Sequence, residues 1–270
     1  MLTSKIEDSK MFEEWVAALE TRHLADLRMP ELTRALRALS SVYVERRSTG
    51  VRGALESAGK RAAFALFYAP LHFLTTLHIV RALGAATPAP RSIVDLGCGT
   101  GAAGAAWAVA ARGAAPISGM DRHPWAVAEA NWTYRQLGVR GRARTGEVAR
   151  LPPLTAGTAV VAAFILNELP APGRERLEAR LIEATARGVR LLIIEPIARR
   201  VSPWWSDTAA QVEAAGGRAD EWRLAVQLPP LLDAIDRSAG LDHRLLTARS
   251  LYCSGRSTGG LKPSGYHARG

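Results

Sequence analysis

With 270 residues, 48% of them apolar, and a formal net charge of +10, the chain is long enough to bury roughly three quarters of its unfolded surface. It reads as one main domain with an extension. Two cysteines, Cys98 and Cys253, are too few for a disulfide framework and lack the clustered spacing of a zinc or iron–sulfur site. No stretch of about 18 uncharged apolar residues occurs, and MLTSKIEDSKMFEEW lacks the charged-then-apolar layout of a signal peptide, so a cytoplasmic protein without a membrane partner is expected.

The basic balance suits an anionic partner such as RNA. It also fits plain genome composition, because lysines stand only at 5, 10, 60 and 262 and the other basic residues are all Arg in an Ala-rich chain. Along the chain, residues 1–31 are acidic on balance, and the sign reverses after Pro30: Arg34, Arg37, Arg46, Arg47, Arg52, Lys60 and Arg61 face only Glu45 and Glu56 over residues 32–61. Leu32, Leu36 and Leu39, then Val42 and Tyr43, recur at helical spacing, and Pro30 fits a first-turn position. Helical patterns follow at 55–66 and 71–83, with Pro70 between them predicting a break or kink. Residues 86–90, ATPAP, read as a stiff linker. Residues 1–90 are thus expected to form a helical extension with a basic face.

From residue 91 the pattern alternates. Short runs rich in Val and Ile at 92–96, 117–120, 159–166 and 189–194, with a weaker one at 142–145, read as buried parallel strands. Helical patterns occupy 102–112, 124–137 and 172–186. This predicts a doubly wound, Rossmann-like α/β sheet with its ligand at the carboxyl ends of the strands. Residues 231–239 look helical, 243–248 and 250–254 read as two strands around a short turn, and 255–270 is Gly- and Ser-rich enough to expect a disordered tail.

The chemistry gathers first at RSIVDLGCGTGAAG, residues 91–104, a strand that ends in a glycine turn and opens into a helix. Gly99, Gly101 and Gly104 satisfy the dinucleotide template as well. Asp95 discriminates. A carboxylate at the strand tip would repel a pyrophosphate by about 1–4 kcal/mol at ~4 Å in a wet site, whereas S-adenosylmethionine carries a cationic ammonium and sulfonium. Gly97, Gly99 and Gly101 would let the backbone approach the methionyl part closely. Asp121, about 25 residues on, can accept from both ribose hydroxyls of either cofactor. Glu147, in TGEVARLP at 145–152, is a candidate acceptor for an adenine amino group, with the N–H of Val148 facing the ring. Its alternative is an ordinary solvated loop glutamate.

DLGCGTG at 95–101, the acid at 121, GEVARLP at 146–152 and the strand ending FILN at 164–167 together resemble class I S-adenosylmethionine-dependent methyltransferases over residues 91–254. The resemblance implies a seven-stranded, mostly parallel sheet with an antiparallel last strand, and S-adenosylmethionine as cofactor. A narrower likeness rests on LSSVY at 39–43, the 64–70 segment, LNEL at 166–169, residues 181–185 and LIIEP at 192–196. These are similar to the methyltransferase-like proteins associated with assembly of the small mitochondrial ribosomal subunit and their bacterial relatives, which would supply RNA or the small ribosomal subunit as partner. Tyr68 stands where that family usually has Arg, Ile197 replaces a glycine, and its cluster-binding cysteines are missing, so no iron–sulfur cluster is expected.

Methyl transfer needs alignment above all, worth about 7–11 kcal/mol, and a base only where the nucleophile must lose a proton early. Asn167 and Glu168, at the tip of the fourth long strand, are the candidate catalytic residues. Asn167 would hold the acceptor or help seat the cofactor, and Glu168 would take a proton. The alternatives are that Asn167 caps the next turn and Glu168 points to solvent. Glu195 and Pro196 are read as pocket wall or structural turn, Trp204 and Trp205 as aromatics that stack on a base or shield the reaction from water or else as loop packing, and His72, His78 and His123 as ordinary surface or core residues. The expectation is a methyltransferase whose acceptor is RNA, protein or a small molecule, completed by the helical extension. The alternative is a ribosome-assembly or RNA-binding factor that keeps the fold without turnover.

Overall fold

Four helical segments open the chain in the computed structural model: α1 (Leu2–His23), α2 (Met29–Glu45), α3 (Ala58–Ala63) and α4 (Ala69–Ala82), the last two joined by a π turn over Phe64–Tyr68. Then come β1 (Ser92–Leu96), α5 (Ala102–Ala110), β2 (Ile117–Asp121), α6 (Pro124–Gln136), β3 (Gly141–Thr145) and β4 (Thr158–Ala163). A 3-10 turn at Leu166–Glu168 leads to α7 (Ala171–Thr185), β5 (Arg190–Glu195), α8 (Trp205–Ala214), β6 (Arg218–Ala225), α9 (Pro230–Ala239) and β7 (Leu245–Cys253). The structure describes residues 2–25, 27–45, 55–198 and 202–255. Arg46, Arg47, Arg52 and the expected tail at 256–270 lie outside the described residues.

The seven strands form one sheet in the order β3-β2-β1-β4-β5-β7-β6. β3 to β5 pair in parallel, and β7 runs antiparallel to both β5 and β6. The chain winds outward in one direction from β1 and in the other from β4. The crevice between their carboxyl ends is therefore the topological switch point where ligands bind such sheets.

Two expectations are corrected. The two strands read at 243–248 and 250–254 are one strand, β7, and its antiparallel partner is β6. β6 is one of the two edge strands, and only Leu224 of it is buried; RADEWRLA therefore shows no apolar period to read. Pro70 does not break the helix. The π turn ahead of it lets the Ala69 N–H donate to the Phe64 carbonyl, and Pro70 falls in the first turn of α4, where a missing N–H is tolerated.

Alternation along the strands splits the core into two layers. On one face Ile93, Ile117, Leu192 and Ile194 pack with α4, α5 and Trp107. On the other, Val94, Leu96, Val160 and Ile193 pack with Leu177 and Leu181 of α7 and with Trp204 and Trp205. Gly104 permits the close approach of α5, since a Cβ there would lie 2.6 Å from Asp95 Oδ2 and 3.0 Å from Ile117.

The first helices share the first of these layers rather than forming a core of their own. Phe12 stacks on Phe73 and Trp15 tilts against it, with centroids 5.6 and 5.4 Å apart. Leu32, Leu36 and Leu39 of α2 are fully buried, each contributing roughly 1.5–3 kcal/mol. The run Ala58–Ala82 is long and apolar enough to cross a membrane, yet 72% of its most apolar 18-residue window is buried inside the protein. At the far end of α1, Arg22 donates from Nε and Nη2 to the buried Glu129 of α6, and His23 reaches the same carboxylate at 3.1 Å. Burial opposes ionisation of Glu129, but the hydrogen bonds from His23 and Arg22 hold its carboxyl below the usual range.

Candidate active site

The glycine turn leaves β1 in a backbone conformation that side chains resist. Gly97 and Gly101 have φ of +60° and +82°, and a Cβ on them would lie 2.4 Å from Ile165 Cγ1 and 2.7 Å from the Tyr134 ring. These two glycines are therefore fixed by neighbouring protein atoms as well as by backbone angle. Gly99 differs. A Cβ there would meet only the Phe64 ring at 3.5 Å, so Gly99 forms a floor beneath Phe64.

Asp95 is 1% exposed, and its Oδ2 accepts from the Gly104 N–H at 2.8 Å. One carboxylate oxygen thus ties the strand tip to the first turn of α5. Burial, with a smaller contribution from Asp121, raises its pKa to about 7 despite that bond. Asp121 closes β2 and accepts from the Gly99 N–H at 2.9 Å and the His123 N–H at 2.8 Å. Each oxygen keeps a further lone pair for a ligand hydroxyl. Cys98 lines the same cavity, but burial and the nearby Asp95 and Asp121 push its thiol up, so it is an unreactive wall.

The tip of β4 is organised from within. Phe164 has φ of +60°, a strained value for an aromatic residue. Its N–H nevertheless donates to the Ile194 carbonyl at 2.8 Å, which holds it there. Glu195, fully buried at the tip of β5, accepts from the Leu166 N–H at 2.9 Å through Oε1 and from Asn167 Nδ2 through Oε2. Trp204 Nε1 donates to Asn167 Oδ1 at 3.0 Å. Asn167 is therefore a clamp joining β4, β5 and the Trp204 loop. Its amide oxygen, which could otherwise accept from an acceptor amine or hydroxyl, already accepts from Trp204. Glu168 stands 3.9 Å from the exposed Arg122.

A cavity of about 720 Å³ joins these parts, within the range of small-molecule sites. Asp95, Gly97, Gly99, Asp121, Asn167 and Glu168 all line it. Gly101 lies just behind the wall, at the start of α5. Glu147 and Val148 do not line it: Glu147 is exposed, and Val148 packs against the second core layer. β3 ends at Thr145, the Gly146 N–H extends its pairing to the Asp121 carbonyl at 2.9 Å, and the chain then turns over Glu147–Arg150, where the Arg150 N–H donates to the Glu147 carbonyl at 2.8 Å.

The far half of the cavity carries residues that sequence reading did not single out as a site. The π turn and α4 contribute Phe64, Tyr68, Leu71 and His72; the loop after α9 and the start of β7 contribute His243 and Leu246. His72 stacks on Phe164 with centroids 4.1 Å apart and planes 19° off parallel. His243 lies edge-on to Phe67 at 5.1 Å. The 64–70 segment drew notice only through the narrower resemblance, and nothing in the pattern around residue 243 signals a site.

A family model described as a methyltransferase domain matches residues 93–188. It describes such domains in general and does not address ribosome assembly. No curated protein sequence matches the chain. Among solved structures, a putative O-methyltransferase from Nostoc punctiforme is 14% identical, with 83% of this chain and 69% of that one covered at a TM-score of 0.49. Magnesium protoporphyrin IX methyltransferase from Synechocystis with bound S-adenosylmethionine is 15% identical, covering 84% and 97% at 0.46. A putative RNA methyltransferase from Pyrococcus horikoshii is 14% identical, covering 84% and 98% at 0.44. The cavity's own chemistry fits the cofactor: a buried carboxyl raised to about 7 is a group that a bound cation would relieve. The matched segment places a methyltransferase domain at residues 93–188, on a Rossmann-like sheet with a reversed last strand and a glycine turn between acidic strand tips.

Proposed function

We propose that the chain transfers a methyl group to a small, largely apolar molecule bound between the strand tips and the helical run at 58–82. The observation that carries this reading is the make-up of the cavity wall. Its far half is lined by Phe64, Tyr68, Leu71, Phe164 and Leu246, and among the described residues its charged groups are the carboxylates Glu56, Asp95, Asp121, Glu168, Glu195 and Asp242 against one guanidinium, Arg122. Apolar walls with a few placed polar groups suit a compact ligand. A surplus of carboxylates disfavours the phosphates of an RNA strand. Arg37 of α2, part of the basic face read as an RNA contact, donates to the carbonyls of Ala239 at 3.1 Å and Ser238 at 2.9 Å. It thereby closes the C-terminus of α9.

S-adenosylmethionine, when bound, supplies an electrophilic methyl group on a sulfonium. Asp95 and the backbone of the glycine turn would hold its cationic methionyl end, and Asp121 its ribose hydroxyls. Asn167, Glu195 and Trp204 fix the β4 tip so that the floor of the acceptor half does not shift during transfer. Phe64, Tyr68 and Leu71 exclude water from the reacting atoms. Alignment of this kind supplies most of the rate in an in-line displacement.

Isothermal calorimetry with S-adenosylmethionine and its demethylated product is expected to show binding of both. Incubation with tritium-labelled cofactor and fractionated RNA, protein and metabolites is expected to label the small-molecule fraction. Label confined to RNA or protein would overturn the small-acceptor reading. Cofactor binding without transfer to any fraction would favour the assembly or RNA-binding factor instead.

A further inference from the structure

We propose that His243, oriented by Asp236, is the general base of the transfer and that the acceptor is an aromatic hydroxyl compound. This inference rests on the small-acceptor reading above. α9 ends at Gly240, whose φ of +72° reverses the chain. Three residues later His243 lies back against the last turn of that helix. Its backbone N–H donates to Asp236 Oδ2 at 2.9 Å, and its ring Nδ1 lies 2.6 Å from Asp236 Oδ1. Asp236 is 3% exposed, so its carboxylate is a sheltered partner that selects the Nδ1–H tautomer. Nε2, on the ring edge away from Asp236, then carries the lone pair, and His243 itself lines the cavity. The edge-on packing of Phe67 fixes the ring plane. A buried carboxylate, an imidazole oriented by it, and a ligand cavity that this histidine lines form the arrangement in which histidine takes protons.

The other candidates in the cavity wall are engaged elsewhere. His123 caps α6, its Nδ1 accepting from the Trp125 N–H at 3.2 Å. His72 lies flat against Phe164. Glu168 is near Arg122, and both oxygens of Glu195 receive protein donors. The charged groups around His243 are Asp236 on α9, the Asp242–Arg244 pair in its own loop, and Arg37 of α2 at the end of α9. The helical run packed against it presents the uncharged Phe67.

A base placed here also selects the nucleophile. A neutral amine need not lose its proton before attack, and a carboxylate has none at neutral pH. A phenolic hydroxyl, with a pKa of about 10, does need to lose one, and a flat ring fits walls made of Phe64, Tyr68 and Phe164. In the step, the acceptor O–H bond breaks and its proton goes to His243 Nε2. The oxygen lone pair forms the new O–CH₃ bond, and the electron pair of the S–CH₃ bond returns to sulfur. The products are a methyl ether, the neutral thioether and a proton that His243 releases to solvent.

The test is a series of simple phenols of graded acidity with tritium-labelled cofactor, run on the wild type, His243→Asn and Asp236→Asn. His243→Asn keeps an N–H for Asp236 and removes Nε2. We expect its kcat to fall on the order of 10² to 10⁴-fold with KM, cofactor affinity and thermal midpoint near wild type. The deficit should shrink as the phenol becomes more acidic. Nitrogen NMR of the wild type, without cofactor, is expected to show His243 as the Nδ1–H tautomer, and Asp236→Asn to abolish that preference. An Nε2–H tautomer in the wild type, or a His243→Asn enzyme with unchanged kcat, would overturn the proposal. So would an equal kcat loss across the whole series. Efficient methylation of small amines with phenols untouched would overturn this inference alone. Label found only in RNA would overturn the reading it rests on as well.

Discussion

Cofactor affinity should depend on pH through Asp95. Its carboxyl is raised to about 7, first by burial and then by the Asp121 charge, with the Gly104 N–H acting in the opposite direction. A cation bound beside it favours the ionised form, so binding releases a proton wherever the empty site is protonated. At pH 6 about nine tenths of the empty sites are protonated, and affinity should be roughly tenfold below its plateau, or ~1.4 kcal/mol. Near pH 8 that deficit should be almost gone. The empty protein responds in the opposite sense. Its folded-state pKa lies above the unfolded one, so the Asp95 contribution to stability is fully present below about pH 4 and is lost as pH rises through about 7. Calorimetry in two buffers of different ionisation enthalpy reads the proton directly: close to one released at pH 6 and few at pH 8. Asp95→Asn keeps an oxygen for the Gly104 N–H and should bind the cofactor more weakly, without this proton release. Equal proton counts in wild type and Asp95→Asn at pH 6 would refute the reasoning.

Gly97→Ala places a Cβ 2.4 Å from Ile165 Cγ1 at a φ of +60°. It should lower stability by about 2–5 kcal/mol from strain and overpacking together, read by denaturant unfolding, and adding Ile165→Ala should recover the overpacking part but not the strain. Asn167→Ala leaves Trp204 Nε1 and one oxygen of buried Glu195 without their partner. A stability loss of about 1–3 kcal/mol with a higher acceptor KM is expected. Unchanged midpoint, cofactor affinity and turnover together would show the clamp to be idle.

The parallel part of the sheet was readable because buried parallel strands are continuous apolar runs, as in SIVDL of β1 and RLLIIE of β5. β6 was not, because an edge strand buries too little to impose a period. Asn167 was legible as a position at a strand tip, but not as a clamp. Its partners Glu195 and Trp204 are 28 and 37 residues away in sequence. Glu147 and Val148 had the right spacing after β3 and still do not line the cavity, because they sit in the turn closed by the Arg150 N–H on the Glu147 carbonyl.

The sequence by itself determined the winding of the sheet and the charge and backbone freedom of the glycine turn. These follow from local periodicity, from glycine conformations and from a carboxylate two residues before the turn. Only the tertiary structure decided what faces the turn from across the cavity. The Phe64–Tyr68 wall, the stacked His72 and Phe164, and the Asp236–His243 pair come from segments far apart in the chain. Their meeting depends on how α4 packs on α5 and β7 and how α9 packs on α2 and the π turn, and that packing leaves no period or spacing in the chain to read.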